Sequence, residues 1–268
     1  MLRDITFGQY YESRSPVHRT DPRVKIVLLI LFIVFIFLAK NAAALAFAAA
    51  SVAGVLLATK VPFRLYLKNM KAIWPVLLFT AVINLFYGEG KTLLAVWKLT
   101  VTTGGVYRAV FMAVRIVLLI CISGALTYTT TPNDLTDAIE SLLGPLKYVG
   151  LKSAVHTLAM MMTIALRFIP TLTEEAEKIM NAQKARGADL ENGNLKERVK
   201  ALIPVLIPLL ISAVRRAYEL AEAMECRCYS GGEGRTRMKR MHIKGLDCAV
   251  CAVSAVICGG IIALNFIF

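Results

Sequence analysis

Acidic residues are scarce in this 268-residue sequence, which has 18 Asp and Glu against 31 Lys and Arg and therefore a formal net charge of +13. Charged residues make up only 18%, whereas hydrophobic residues make up 57% and the mean hydropathy is +0.62. A soluble domain of this size is less apolar. The composition indicates an integral membrane protein whose basic residues lie in cytoplasmic loops, and no nucleic-acid partner is expected.

A cleavable signal peptide is not expected either, because the stretch before Val24 is polar and a signal peptide needs its apolar core near the start. Several cysteines lie in or beside apolar runs, which argues against a secreted disulfide framework. Zinc binding by a Cys and His set is an alternative. Cys is a common small apolar residue where a span begins, and we favour that interpretation, with no metal site. The residues considered for zinc are Cys226, Cys228, His242, Cys248 and Cys251.

Five apolar blocks are long enough to cross a bilayer, which takes about 20 residues per span. They comprise residues 24–39, 42–58, 72–87, 109–127 and 246–268. Lys and Arg are concentrated before the first block, between the second and third, and between the fourth and fifth. The positive-inside rule therefore predicts a multi-pass protein of the cell membrane with a cytoplasmic N-terminus and an outer C-terminus.

The sequence thus predicts an all-α integral membrane protein with about five transmembrane helices and three cytoplasmic amphipathic helices, two of them long. Residues 1–130 are expected to hold the first four spans, residues 131–240 the cytoplasmic helices, and residues 241–268 the last span. The first amphipathic helix is predicted to begin with Thr131 as N-cap and Pro132 at the first helical position, and to end at Gly144.

The two long helices are predicted over residues 152–186, with a bend at Pro170, and over residues 195–227. Gly187 is suited to ending the first of them. The apolar part of the second could be taken for a sixth span. Residues 202–214 alone are too short to cross a bilayer, so we favour a helix at the membrane boundary.

The two long helices end alike, with Ala185-Arg186-Gly187 on the first and Cys226-Arg227-Cys228 on the second, so that the arginines are 41 positions apart. One interpretation is that Arg is simply favoured at helix C-termini. The other is that small neighbours let each tip enter a groove where Arg meets buried acids of a partner. Two tips suit a partner with two-fold symmetry. From the residues alone both interpretations stay open.

Four stretches resemble the T component of the energy-coupling factor (ECF) transporters, and the likeness covers nearly the whole chain. They are residues 5–11, 15–25 (Ser15-Pro16-Val17-His18-Arg19-Thr20-Asp21-Pro22-Arg23-Val24-Lys25), 165–171 and 231–237, with the two Arg tips as the most specific parts. The second tip departs from the common Ala-Arg-Gly form but keeps the central Arg and small flanks.

The resemblance implies a scaffold and coupling subunit of an importer for a vitamin or metal ion. Its partners would be two ATP-binding subunits, which receive the two Arg tips, and a small membrane subunit that binds the substrate. The implied docking residues are Ala185, Arg186, Gly187, Cys226, Arg227 and Cys228.

No catalytic residues and no cofactor are expected. Gly88 to Thr92 imitate the end of a phosphate-binding loop, but Leu85 stands where that loop needs Gly, so ATP hydrolysis is assigned to a partner. A membrane-embedded enzyme would need acids, His or a nucleophile converging inside the spans. A stand-alone carrier would show inverted repeats or several polar mid-membrane residues. Arg115 and His156 are the candidates for such a path, and Arg115 is close enough to its span's outer end to snorkel.

Overall fold

The computed structural model describes residues 10–86, 92–96, 99–144, 152–188, 194–231 and 242–267. These residues form nine α-helices and one antiparallel β-hairpin, so the all-α prediction is confirmed apart from the hairpin. In chain order they are α1 (Pro16–Arg19), α2 (Pro22–Leu38), α3 (Ala42–Thr59), α4 (Phe63–Phe86), β1 (Thr92–Val96), β2 (Leu99–Thr102), α5 (Thr103–Thr129), α6 (Pro132–Leu142), α7 (Lys152–Ala185), α8 (Leu195–Glu225) and α9 (Gly245–Ile267).

Six of the described helices, namely α3, α4, α5, α7, α8 and α9, are long and apolar enough to cross a membrane, judged by length and composition. The first predicted span is α2, whose 17 residues lie at the lower limit for a span. All five predicted spans are therefore helices. Because α7 and α8 also meet the length and hydropathy criteria, their predicted place outside the bilayer stays a prediction.

The third span begins earlier than its hydropathy suggests. Helix α4 starts at Phe63, nine residues before the apolar block, and its first turns carry Arg64, Lys68 and Lys71. Its 24 residues are about 36 Å long, which exceeds the roughly 30 Å hydrocarbon core, so basic side chains at one end reach the headgroups.

The described residues form two compact units, one comprising those within 10–138 and 242–267 and the other those within 139–231. In the first unit α5 packs against α2, α3 and α4, and α9 packs against α2 and α3. Ile36, Ala44 and Ile261 are fully buried in this core. Small residues such as Ala44 let membrane helices approach closely.

A buried polar cluster joins α2, α5 and α9 within this unit. The Asp247 Oδ1 atom accepts the Asp21 N–H at 2.8 Å and its Oδ2 atom accepts the Lys244 N–H at 2.6 Å. The Lys25 Nζ atom donates to the Thr129 carbonyl at 2.9 Å, where α5 ends. Buried charges are tolerated when hydrogen bonds satisfy them, as they are here.

Helix α6 begins at the cap that the sequence predicts. The Thr131 Oγ1 atom accepts the Asp134 N–H at 3.2 Å and donates to the Asp134 carboxylate at 2.9 Å. Pro132 occupies the first helical position, where its missing N–H leaves no hydrogen bond unmade.

Candidate docking site

Helices α7 and α8 lie antiparallel within the second unit. The Gln183 side chain donates to the Pro204 carbonyl at 3.4 Å, and the Tyr229 hydroxyl donates to the Met160 sulfur at 2.8 Å. Residue numbers thus fall along α7 as they rise along α8. The end of α7 therefore lies beside the start of α8, and the end of α8 lies beside the first part of α7.

An ion pair near the middle fixes the register of the two helices. Both the Nη2 and Nε atoms of Arg216 donate to Oε2 of Glu175, at 2.7 and 3.2 Å, and the Ser212 hydroxyl donates to Oε1 at 2.6 Å. The two charged side chains are 37% and 26% exposed. At that exposure the pair contributes about 0.2–1 kcal/mol, so its main effect is geometric.

The seam beside this ion pair combines large residues with small ones. Ile164, Phe168 and Leu172 of α7 line a groove opposite Ala213 and Ala217 of α8. Small residues on one helix allow the large side chains of the other to interdigitate. The seam holds the two helices together without using either predicted tip.

The tip of α7 is closed by a Schellman motif. The Ala188 N–H donates to the Gln183 carbonyl and the Gly187 N–H donates to the Lys184 carbonyl, each at 3.0 Å. Gly187 has φ +88°, in the left-handed region that this motif requires at the residue after the helix. Arg186 immediately precedes that residue and is exposed.

The tip of α8 has the same backbone arrangement. The Tyr229 N–H donates to the Met224 carbonyl at 3.0 Å and the Cys228 N–H donates to the Glu225 carbonyl at 2.8 Å. Cys228 has φ +54°, again left-handed, and the preceding Arg227 is exposed.

Every position of the first tip has an equivalent 41 residues later, so the duplication seen in the sequence extends to the backbone. Gly187 corresponds to Cys228, and Arg186 corresponds to Arg227. Because residues other than Gly, Asn and Asp seldom adopt this conformation, Cys228 holds it at a cost of about 1–2 kcal/mol. The strained cysteine shows that the tip geometry is kept although the residue best suited to it is absent.

The six predicted docking residues do not form one site. Since Gln183 lies level with Pro204, Arg227 is 23 residues further along α8, and the two arginines are separated by roughly 35–40 Å along the pair. The structure thus presents two separate, equivalent tips at opposite ends of an antiparallel helix pair. Within the described residues, neither arginine has a side-chain hydrogen bond or ion pair.

Comparison with known proteins identifies the family. The family model CbiQ, described as a cobalt transport protein, matches residues 13–238. An energy-coupling factor transporter transmembrane protein EcfT of Ruminiclostridium cellulolyticum is 47% identical over 268 residues, covering 100% of both chains. The chain therefore belongs to the family that the CbiQ model describes and that includes the EcfT transmembrane proteins.

Two further EcfT relatives agree. The protein of Clostridium kluyveri is 49% identical over 257 residues, covering 94% of each chain, and that of Bacillus subtilis is 46% identical over 251 residues, covering 93% of this chain and 94% of the relative. The resemblance to the ECF transporter T component is therefore confirmed, and this chain is a membrane component of a transporter.

The other candidate sites are placed as follows. Among the described residues, no three His, Cys, Asp or Glu side chains lie together so as to hold a metal ion.

Arg115 donates to the Ala39 carbonyl at the end of α2, and its guanidinium lies 4.9 Å from the Phe111 ring centroid. Its contacts therefore join α5 to the end of α2. His156 lies 3.5 Å from Glu140. Residues 5–9, 87–91 and 232–237, named in the sequence analysis, lie outside the described residues.

Two features of the structure were not predicted from the sequence. The pairing of Asp21 with Asp247 joins residues 226 positions apart, and no local pattern signals it. The left-handed conformation of Cys228 was detectable, because aligning the two tips at the offset of 41 places Cys228 on Gly187. A glycine in one copy of a duplicated motif indicates the backbone conformation of the other copy.

Proposed function

We propose that this chain is the coupling subunit of an ATP-driven importer. Its tips at Arg186 and Arg227 dock in two ATP-binding subunits, and the α7–α8 pair transmits their movement to a small membrane subunit that binds the substrate. The observation that supports this best is the pair of equivalent tips at opposite ends of one ion-paired helix pair. Two identical features facing apart suit two equivalent partner subunits.

The chemistry of the tips agrees with this role. Each arginine is exposed and its guanidinium has five donors in a fixed fork, which suits bidentate binding of a carboxylate in a partner's groove. The flanking residues Ala185 and Cys226 are exposed and small, so neither blocks entry of the tip. The Schellman bonds satisfy two of the carbonyls that each helix end would otherwise leave without a partner.

The proposal includes the orientation and the cargo. Helices α6 to α8 and the N-terminus face the cytoplasm, where ATP-binding subunits would be found, and the chain crosses the membrane five times. The cargo is a vitamin or a metal ion; the name of the matched family model, cobalt transport protein, agrees with the second. Reporter fusions at both termini test the orientation, and finding both ends on one side would rule out five spans.

The decisive experiment reverses the charge of both tips. Arg186→Glu with Arg227→Glu should release the ATP-binding subunits during co-purification and abolish substrate uptake, because each lost contact leaves a partner's acid unpaired at a cost of about 3–5 kcal/mol. Each single variant should weaken assembly. Ala185→Trp should interfere by bulk alone, without a change of charge.

A matched control uses Arg167→Glu with Arg215→Glu. These arginines are exposed on the same two helices, away from the tips, and the substitution changes the net charge equally. The control should assemble and transport normally. If the tip variant behaves like the control, the tips are ordinary solvated helix ends and the proposal is wrong.

A further inference from the structure

A lateral groove in the helix bundle has no role in the proposed coupling. It has a volume of about 470 Å³ and is lined by α1, α2, α3, α5 and α9 of the first unit. Helices α3 and α9 touch at Phe47 and Gly260, where a Cβ added to Gly260 would lie 2.8 Å from the Phe47 ring. They leave space at Gly54, where an added Cβ meets nothing within 4 Å.

The groove is open along the side between α3 and α9. Gly54 and Ala58 on one rim are exposed, as are Ala249 and Val253 on the other. These helices are long and apolar enough to cross the membrane. The solvent that meets this opening is therefore lipid rather than water.

Four of the polar side chains that line the groove are already satisfied by hydrogen bonds within the protein. The Thr20, Ser51 and Thr129 hydroxyls donate to the carbonyls of Pro16, Ala48 and Ala125, at 3.1, 2.7 and 2.7 Å. The Lys25 Nζ atom donates to His18 and Thr129 carbonyls and to the Thr130 hydroxyl. The lining therefore presents mainly hydrocarbon, which does not hold water and does not recognise a polar substrate.

We propose that this groove holds one acyl chain of a membrane phospholipid. Its lining along α9 runs from Leu246 to Ile257, about 16 Å at 1.5 Å per residue. An apolar space of this length that opens to lipid suits a flexible hydrocarbon chain.

Charge at the polar end of the groove favours an anionic headgroup. Arg19 is exposed beside the lining residue Thr20, and Arg23 lies in the first turn of α2, with a buried Nε atom that has no hydrogen-bond partner among the described residues. The nearby acids Asp21 and Asp247 are occupied by backbone N–H groups. Basic residues at the membrane surface attract anionic lipids.

The test fills the groove and counts retained lipid. The complex with its partner subunits is prepared in phosphatidylglycerol, washed in detergent and weighed by native mass spectrometry. The unmodified complex should retain one phospholipid that Gly54→Leu loses. Gly259→Leu is the matched control, because Gly259 lies on α9 outside the groove lining, is exposed and likewise has nothing within 4 Å of an added Cβ.

Ala58→Leu fills the same groove from a second position, and its lipid retention is the readout if Gly54→Leu does not fold. Equal lipid retention in the filled and control variants overturns the proposal. It is also overturned if the filled variants keep their lipid but lose a partner subunit, since the occupant is then protein. Neither outcome bears on the Arg tips, so this inference stands or falls apart from the coupling role.

Discussion

Charged side chains have different environments in the helix bundle and in the α7–α8 pair. In the bundle, Lys25 and Asp247 are 8% and 1% exposed, and each is held by hydrogen bonds within the chain. In the pair, Arg186 and Arg227 are exposed and, among the described residues, have no side-chain partner. These two buried charges of the bundle are satisfied within the chain, whereas the two matched charges of the pair are open to solvent.

If the tips dock as proposed, this difference separates charges that serve the fold from charges that serve binding. A buried ion that loses its partner costs several kcal/mol, so the bundle's charges must be matched for the chain to fold. An exposed arginine costs little to keep, and its exposure alone does not indicate function. The duplicated Schellman geometry is what distinguishes these two arginines from other exposed basic residues.

Removing the Asp247 carboxylate is expected to have the largest effect on stability. Asp247→Ala should destabilise the bundle by about 3 kcal/mol or more, because two charge-assisted hydrogen bonds are lost and the buried Asp21 N–H is left unsatisfied. Thermal unfolding of the purified protein in detergent measures the change. The control Glu12→Ala removes an exposed acid of the same unit and should have little effect.

If Asp247→Ala unfolds like the unmodified protein but loses its partner subunits, the buried charge is functional and the contrast drawn above fails. If it unfolds early while assembly at low temperature is unchanged, the buried charge serves the fold alone.

A smaller effect is expected from the ion pair between α7 and α8. Glu175→Gln should cost about 0.2–1 kcal/mol, because the Glu175 and Arg216 side chains remain partly exposed to water. A double-mutant cycle with Arg216→Gln isolates the pair from other losses. Glu174→Gln, an exposed neighbour, is the control. A coupling energy of zero would show that the hydrophobic seam alone fixes the register.

The spans could be predicted because hydropathy is a local property that accumulates along a helix. All five predicted blocks lie in helices, and α6 begins at the predicted cap. The early start of α4 was missed because Arg64, Lys68 and Lys71 lower its hydropathy, although they remain helical. The hairpin of Thr92–Val96 with Leu99–Thr102 was missed as well, since strands this short carry little periodic signal.

The candidate docking site was likewise predictable only in part. The identity and spacing of its residues could be read directly, including the helix end at Gly187. The antiparallel pairing that sends the two tips apart could not be read, because it depends on contacts such as Gln183 with Pro204 and Ser212 with Glu175. The motif at each helix end was thus predictable, whereas the distance between the two tips could be known only from the tertiary structure.

Two further small effects, both local to the helix ends, test whether the two tips are equivalent. Cys228→Gly should stabilise the second tip by about 0.5 kcal/mol, because relief of the left-handed strain outweighs the greater freedom of glycine in the unfolded chain. Gly187→Ala should destabilise the first tip by about 1 kcal/mol for the converse reason. Hydrogen exchange of the Tyr229 and Ala188 amides, which donate the bonds that close each tip, measures both changes. Exchange should slow at Tyr229 in the first variant and quicken at Ala188 in the second. If Cys228→Gly instead quickens exchange at Tyr229, the cysteine itself supports that tip and the two ends of the helix pair are not equivalent.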